Sequence, residues 1–220
     1  MSAGTAPLSR LLPRSQPATG RGLLRLPPGP AAPGLRRGRV HEGCGPSRHL
    51  WALMLAGAEA AGRGMLPPVL WIRPGWTGAG LYPPAMAGIC PPGALVFVTC
   101  TREADLLWTA EEALRAGAVG LVVADLAAPP GLTAVRRLHL AAEAGAEAGA
   151  GAGRVPLGLI LTPGTGGAPG VESRWHMAPR PVGGGGSSGR WRLERLRERG
   201  AGPAGWDLSR DASGRWHWAG

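Results

Sequence analysis

From Glu103 to Leu126 the chain reads EADLLWTAEEALRAGAVGLVVADL, and few folds accommodate that order of residues. Leu106, Leu107, Ala110 and Leu114 recur at the spacing of one helix face, Gly117 stops the helix, and the apolar run VGLVVADL follows at once. A strand with no polar alternation has no side to offer water, so it belongs in a sheet covered on both faces. The pattern recurs along the chain. His49 to Ala61, with Leu50, Leu53, Met54 and Gly57, and Leu132 to Ala144, with Leu132, Val135, Leu138 and Ala142, read as helices. Val69 to Ile72, Ala94 to Thr99 and Pro156 to Pro163 read as short buried strands. Helices alternating with buried strands predict an α/β fold with a mostly parallel central sheet flanked by helices. After Pro163 the texture changes: Ser173 to Ala178, Arg190 to Leu196, Trp206 to Ser209 and Arg215 to Trp218 are short and alternating, which predicts C-terminal antiparallel strands at the sheet edge.

A chain of 220 residues that is 44% apolar can bury one core, and glycine (38) and proline (23) together exceed a quarter of it. Residues 1–38, rich in Pro, Gly and Arg, are predicted to be a disordered arm, with an organelle transit peptide as the less favoured reading. Residues 39–210 form the predicted domain, with flexible inserts near 145–153 and 183–189, and 211–220 an exposed tail. The net charge is +10, and the 24 basic residues are all arginine. That balance suits phosphate or an acidic protein surface, and equally suits a solvated surface shaped by codon usage. Cys44, Cys90 and Cys100 share no short spacing and form an odd set, so neither a disulfide framework nor a zinc site is expected. No apolar run approaches the roughly 20 residues of a membrane span, and no signal peptide is recognisable, which predicts a cytoplasmic protein with reduced thiols.

Four blocks, LLWTAEEALRAGAVGLVVADL (Leu106 to Leu126), LTAVRRLHLAAEAG (Leu132 to Gly145), SRWHMAP (Ser173 to Pro179) and WRLERLRERGAGPAGWDL (Trp191 to Leu208), resemble in order and content the RecA core. They resemble more closely the ImuA family, RecA-related proteins that accompany error-prone translesion polymerases in bacteria. The resemblance spans roughly Arg39 to Ser209 and implies a RecA-like core. It also implies an accessory role in the DNA damage (SOS) response, supporting translesion synthesis by binding a translesion polymerase-like protein (ImuB-like), RecA or DNA, as a monomer or in a hetero-complex.

The departures from the pattern carry as much information. A RecA-type ATPase needs GxxxxGK[ST] between its first strand and helix, so that backbone amides cradle phosphates, lysine neutralises them and the hydroxyl holds magnesium. Here the corresponding HEGCGPSRHL offers Gly43, Gly45, Pro46, Ser47 and Arg48, with no second loop glycine and no lysine. Arg73 to Trp76 stand where the resemblance calls for a water-activating glutamate, and Thr162 and Pro163 where it calls for a nucleotide-sensing glutamine. The expectation is a degenerate nucleotide loop, no ATP or magnesium cofactor, no metal and no catalysis. Two alternatives remain: a divergent RecA-like ATPase using Arg48 and Asp125, or a general basic DNA-binding protein.

Several residues are candidates for what survives. Asp125, at a strand end, is either a residual metal-linked carboxylate or a turn cap, the cap being favoured. Arg197 and Arg199 fall where the resemblance implies a basic pair, and residues two apart on a strand share a face, so they are candidate anion, DNA or partner contacts; a charge-protected strand edge is the equal alternative. Arg136 and Arg137, beside His139, are candidate phosphate contacts or the wet side of a helix. Gly164 to Gly170 (GTGGAPG) reads as a mobile linkage. Of nine tryptophans several lie in the C-terminal strands as packing residues, and Trp216 and Trp218 are candidates for partner docking from an exposed chain end.

Overall fold

The computed structural model describes residues 22–26, 32–61, 69–77, 81–181 and 189–219. Its centre is a nine-stranded sheet in the order β11-β10-β9-β8-β3-β7-β6-β4-β5. The strands are β3 (Val40–Cys44), β4 (Val69–Pro74), β5 (Leu95–Cys100), β6 (Leu121–Asp125), β7 (Leu157–Leu161), β8 (Ser173–Arg180), β9 (Gly189–Glu198), β10 (Ala204–Arg210) and β11 (Trp216–Ala219). From β8 to β5 every pairing is parallel, and from β8 outward to β11 every pairing is antiparallel. The predicted α/β class with an antiparallel C-terminal extension is therefore what forms. One detail differs: β8 was expected among the antiparallel strands, and it is parallel to β3 while antiparallel to β9, so it joins the two halves.

Helix α1 (Arg48–Ala61) covers one face, and α3 (Glu103–Ala116) and α4 (Leu132–Ala148) cover the other, with the single-turn α2 (Pro83–Met86) between β4 and β5. In α3, Leu106, Ala110 and Leu114 face the sheet one turn apart, Glu103 and Asp105 stand in the first turn and Arg115 in the last, and Gly117 at φ 61° closes the helix. Helix α1 is buried almost all round from Trp51 to Ala56, because the sheet including β8, a small hairpin and the Ile89–Cys90 backbone all pack against it.

That hairpin, β1 (Leu23–Arg25) with β2 (Gly34–Arg36), corrects the expectation of a disordered arm for the part of it that is described. Leu24, Leu26 and Leu35 are buried beside α1, and the Arg37 guanidinium is paired with Glu59 of α1 while donating to the carbonyls of Gly120 and Val155. Apolar contact and a largely buried ion pair thus anchor residues that composition alone assigns to disorder. Residues 1–21 lie outside the described residues. The expected insert near 145–153 is the end of α4 followed by a 3-10 turn (Ala150–Ala152), and Gly145 packs against the end of α3. Of the insert near 183–189 only Gly189 is described, and it opens β9. Residues 216–219, expected in an exposed tail, pair with β10 instead.

All three cysteines are free and buried. Burial pushes the Cys44 thiol up to about 12 and the Cys90 thiol to about 11.

Candidate functional site

Strand β3 leads to α1 on one face of the sheet and β6 leads to α4 on the other, so a crevice opens at the carboxyl ends of the parallel strands, where α/β sheets bind ligands. A pocket of about 300 Å³ lies there. Its lining comes from the start of α1 (Arg48, His49), the ends of β4 (Trp71, Arg73), β6 (Asp125) and β7 (Pro163), and the edge strand (Phe97). Arg73 lies 5.5 Å over the Phe97 ring and donates to the Thr99 hydroxyl, while His49 stacks on Trp71 with centroids 6.4 Å apart.

The loop between β3 and α1 is closed against its neighbours. Gly45 donates its N–H to the Gly164 carbonyl at 2.9 Å, Ser47 to the Met177 carbonyl at 3.0 Å and Arg48 to the Gly45 carbonyl at 3.3 Å; Pro46 has no N–H to give. Gly45 sits at φ 88°, and a Cβ there would lie 2.5 Å from the Met177 oxygen, so only glycine fits. Gly43 lies within β3 against the Trp51 ring. A phosphate cradle needs amides pointing into open space, and these point into protein. The Arg48 guanidinium leans back to the Gly45 carbonyl, and Asp125 accepts a hydrogen bond from His49 Nε2 at 2.7 Å. The sequence-predicted Gly45, Pro46, Ser47, Arg48 and Asp125 are thus brought together at one end of the sheet. Among the described residues no group of three or more His, Cys, Asp or Glu side chains is arranged to hold a metal ion.

Strand β3 carries two buried polar residues with different roles. Glu42 accepts hydrogen bonds from the Thr162 hydroxyl (2.7 Å), the Gly167 amide (2.9 Å) and the Ala168 amide (3.1 Å), and is ion-paired with Arg174, whose guanidinium also donates to the Ala168 carbonyl. The glycine-rich segment 164–170, expected as a mobile linkage, is therefore clamped, because one buried carboxylate is the acceptor for its amides. His41 accepts from the Ser173 hydroxyl at Nδ1 (2.6 Å) and donates from Nε2 to the Arg36 carbonyl (2.8 Å). Burial lowers its pKa to about 4, so it is neutral at physiological pH.

The predicted basic residues separate. Arg136 and Arg199 line one groove of about 380 Å³ on the α4 side of the sheet, together with Arg39, His139, Glu143 and Glu172. Arg137 turns away to Glu111 of α3 at 2.7 Å. Arg197 is exposed and pairs in register with Arg174, whereas Arg199 lies past the end of β9, where its amide bonds the Glu172 carbonyl. A register irregularity at Arg174/Trp175 precedes this, and the two arginines do not continue one ladder as the strand spacing implied. His139 accepts from the Val40 amide and donates to the Gly170 carbonyl, and burial lowers its pKa. Trp216, expected at an exposed end, packs on Trp191 with centroids 5.4 Å apart under Arg210, and Trp218, also expected there, is partly buried against the same core. Sequence reading missed Glu42, His41, His49 and Glu172 as organising residues; for the first two the signal available was VHEGC, two polar residues side by side in a short strand run.

The fold and the crevice define an α/β protein with a mixed sheet whose strand-end loop is sealed by its own backbone. No family model matches the chain. Two proteins named Protein ImuA, from the NA1000 and CB 15 strains of Caulobacter vibrioides, are each 36% identical to it over 158 residues, 66% of this chain and 62% of theirs. Over that stretch the chain is similar to ImuA, and it spans less than two thirds of the length of the relatives it matches.

Proposed function

We propose that the chain is a non-catalytic accessory protein of damage-inducible mutagenesis, supporting error-prone translesion synthesis by binding a translesion polymerase-like protein, RecA or DNA in the cytoplasm. The likeness to ImuA supports the pathway. The observation that carries the non-catalytic half is the strand-end loop, whose Gly45, Ser47 and Arg48 amides are all engaged within the protein. With Asp125 held by His49, neither the amide cradle nor a free carboxylate is presented to a magnesium nucleotide. What remains is the surface of the fold, and no helix among the described residues is long and apolar enough to cross a membrane.

Titration with a fluorescent ATP analogue and magnesium is expected to give no saturable signal, and tight saturable binding overturns the non-catalytic reading. Affinity capture from DNA-damaged cells is expected to recover a polymerase-like protein or RecA; recovery of neither, with salt-sensitive binding to single-stranded DNA, favours a general basic DNA-binding protein instead.

A further inference from the structure

We propose that the groove between α4 and the start of β8 docks an acidic, amphipathic segment of a partner protein, carboxylates on its polar side and aliphatic side chains on its apolar side. This goes beyond the function proposed above and stands on the groove alone.

The charge is one-sided. Glu172, only 3% exposed, is the common carboxylate of Arg36, Arg39 and Arg199, whose Nε atoms lie 3.5, 4.0 and 4.0 Å from it. Arg39 also reaches Glu143. Arg136, exposed on α4, has no ion-pair partner among the described residues. Four guanidinium groups therefore face two carboxylates, and Arg199 keeps most of its side chain in solvent. His139 adds neither charge nor a free donor, since both ring nitrogens are taken by backbone groups.

The apolar half of the recognition lies on the same helix face. Leu132, Arg136 and Leu140 follow one another a turn apart on α4, and the two leucines are 41% and 65% exposed, while the helix buries Val135, Leu138 and Ala142 against the sheet. Phosphate oxygens satisfy the arginines and leave the leucines against the most hydrated part of a nucleic acid, and the lining offers no exposed aromatic ring on which a base stacks. A segment with leucine-like residues flanked by glutamate or aspartate satisfies both halves together.

The full chain is titrated into a fluorescein-labelled helical model peptide with leucines at i and i+4 and glutamates flanking them. Saturable binding is expected, about threefold weaker for Arg136→Ala and for Arg199→Ala, about fivefold weaker for Leu140→Ser, and unchanged for Arg137→Ala. A single-stranded oligonucleotide is expected not to displace the peptide. The altered side chains are exposed, and thermal melts confirm that each variant folds. Absence of saturable binding to the unaltered chain overturns the proposal. So does a Leu140→Ser variant that binds as well as the parent, or displacement by the oligonucleotide, either of which assigns the groove to charge alone. None of these outcomes depends on whether the ATP analogue binds or which protein is captured.

Discussion

Glu42 shows how much of this protein rests on single buried side chains. It is fully buried in β3, and its carboxylate is the shared acceptor for a hydroxyl, two loop amides and a guanidinium. Removing it leaves Arg174 uncompensated and the loop amides without an acceptor, so Glu42→Ala is expected to cost about 3–5 kcal/mol in urea unfolding. An unchanged midpoint refutes the clamp. His41, next to it, acts through its neutral form. Well above pH 6.5 neither the folded nor the unfolded state carries its proton, and stability is full. As pH falls from about 6.5 to about 4 the unfolded chain takes up a proton that the folded protein refuses, so stability drops by up to about 3 kcal/mol and then levels. Unfolding midpoints measured across that range should show the slope, and His41→Gln should reduce it, leaving the share of His139, whose pKa burial also lowers.

Among the elements, α3 and α4 cross where glycine is required. A Cβ on Gly145 would fall 1.8 Å from the Leu114 carbonyl oxygen. Alanine in a helix interior ordinarily favours the helix by about 1 kcal/mol, but Gly145→Ala must push the two helices apart and is expected to destabilise by about 2 kcal/mol, read as a lowered Tm. Strand β11 supplies a second case: Trp216→Ala removes the Trp191 contact and the Arg210 stacking, and a fall in Tm of several degrees is expected, where a free tail predicts none. These elements also show what was legible. The helix-then-strand unit of α3 and β6 was readable because its apolar stripe, glycine stop and valine run agree with one another. The β1–β2 hairpin was not, because LLR and GLR are too short to show alternation and the prolines around them signal disorder. At the strand-end loop the missing motif was legible, but the carbonyls of Gly164 and Met177 that seal it are more than a hundred residues away. Arg136 and Arg199 both stand out in the sequence, yet only the packing of α4 over β3 and β7 reveals that they face one groove and that Arg137 does not.

At the scale of the whole molecule the sheet is built in two styles that meet at β3 and β8. Parallel strands between helices form one half, and an antiparallel meander that meets α1 through β8 forms the other. The crevice and the arginine-lined groove lie in separate parts of this frame, the first at the carboxyl ends of β4 and β6 and the second beside Arg39 and Glu172, which immediately precede β3 and β8. The three buried thiols sample different parts of the same frame: Cys44 below the sealed loop, Cys90 beside α1 and Cys100 at the end of edge strand β5. Because an alkylating reagent must reach the sulfur and all three sulfurs belong to buried residues, each cysteine reacts only when its own surroundings open. The chain thus carries its own clock for local unfolding. Timed alkylation read site by site should rank the loop, the α1 flank and the edge by how often each opens, and should show Cys44 slowest while Glu42 holds the glycine segment in place.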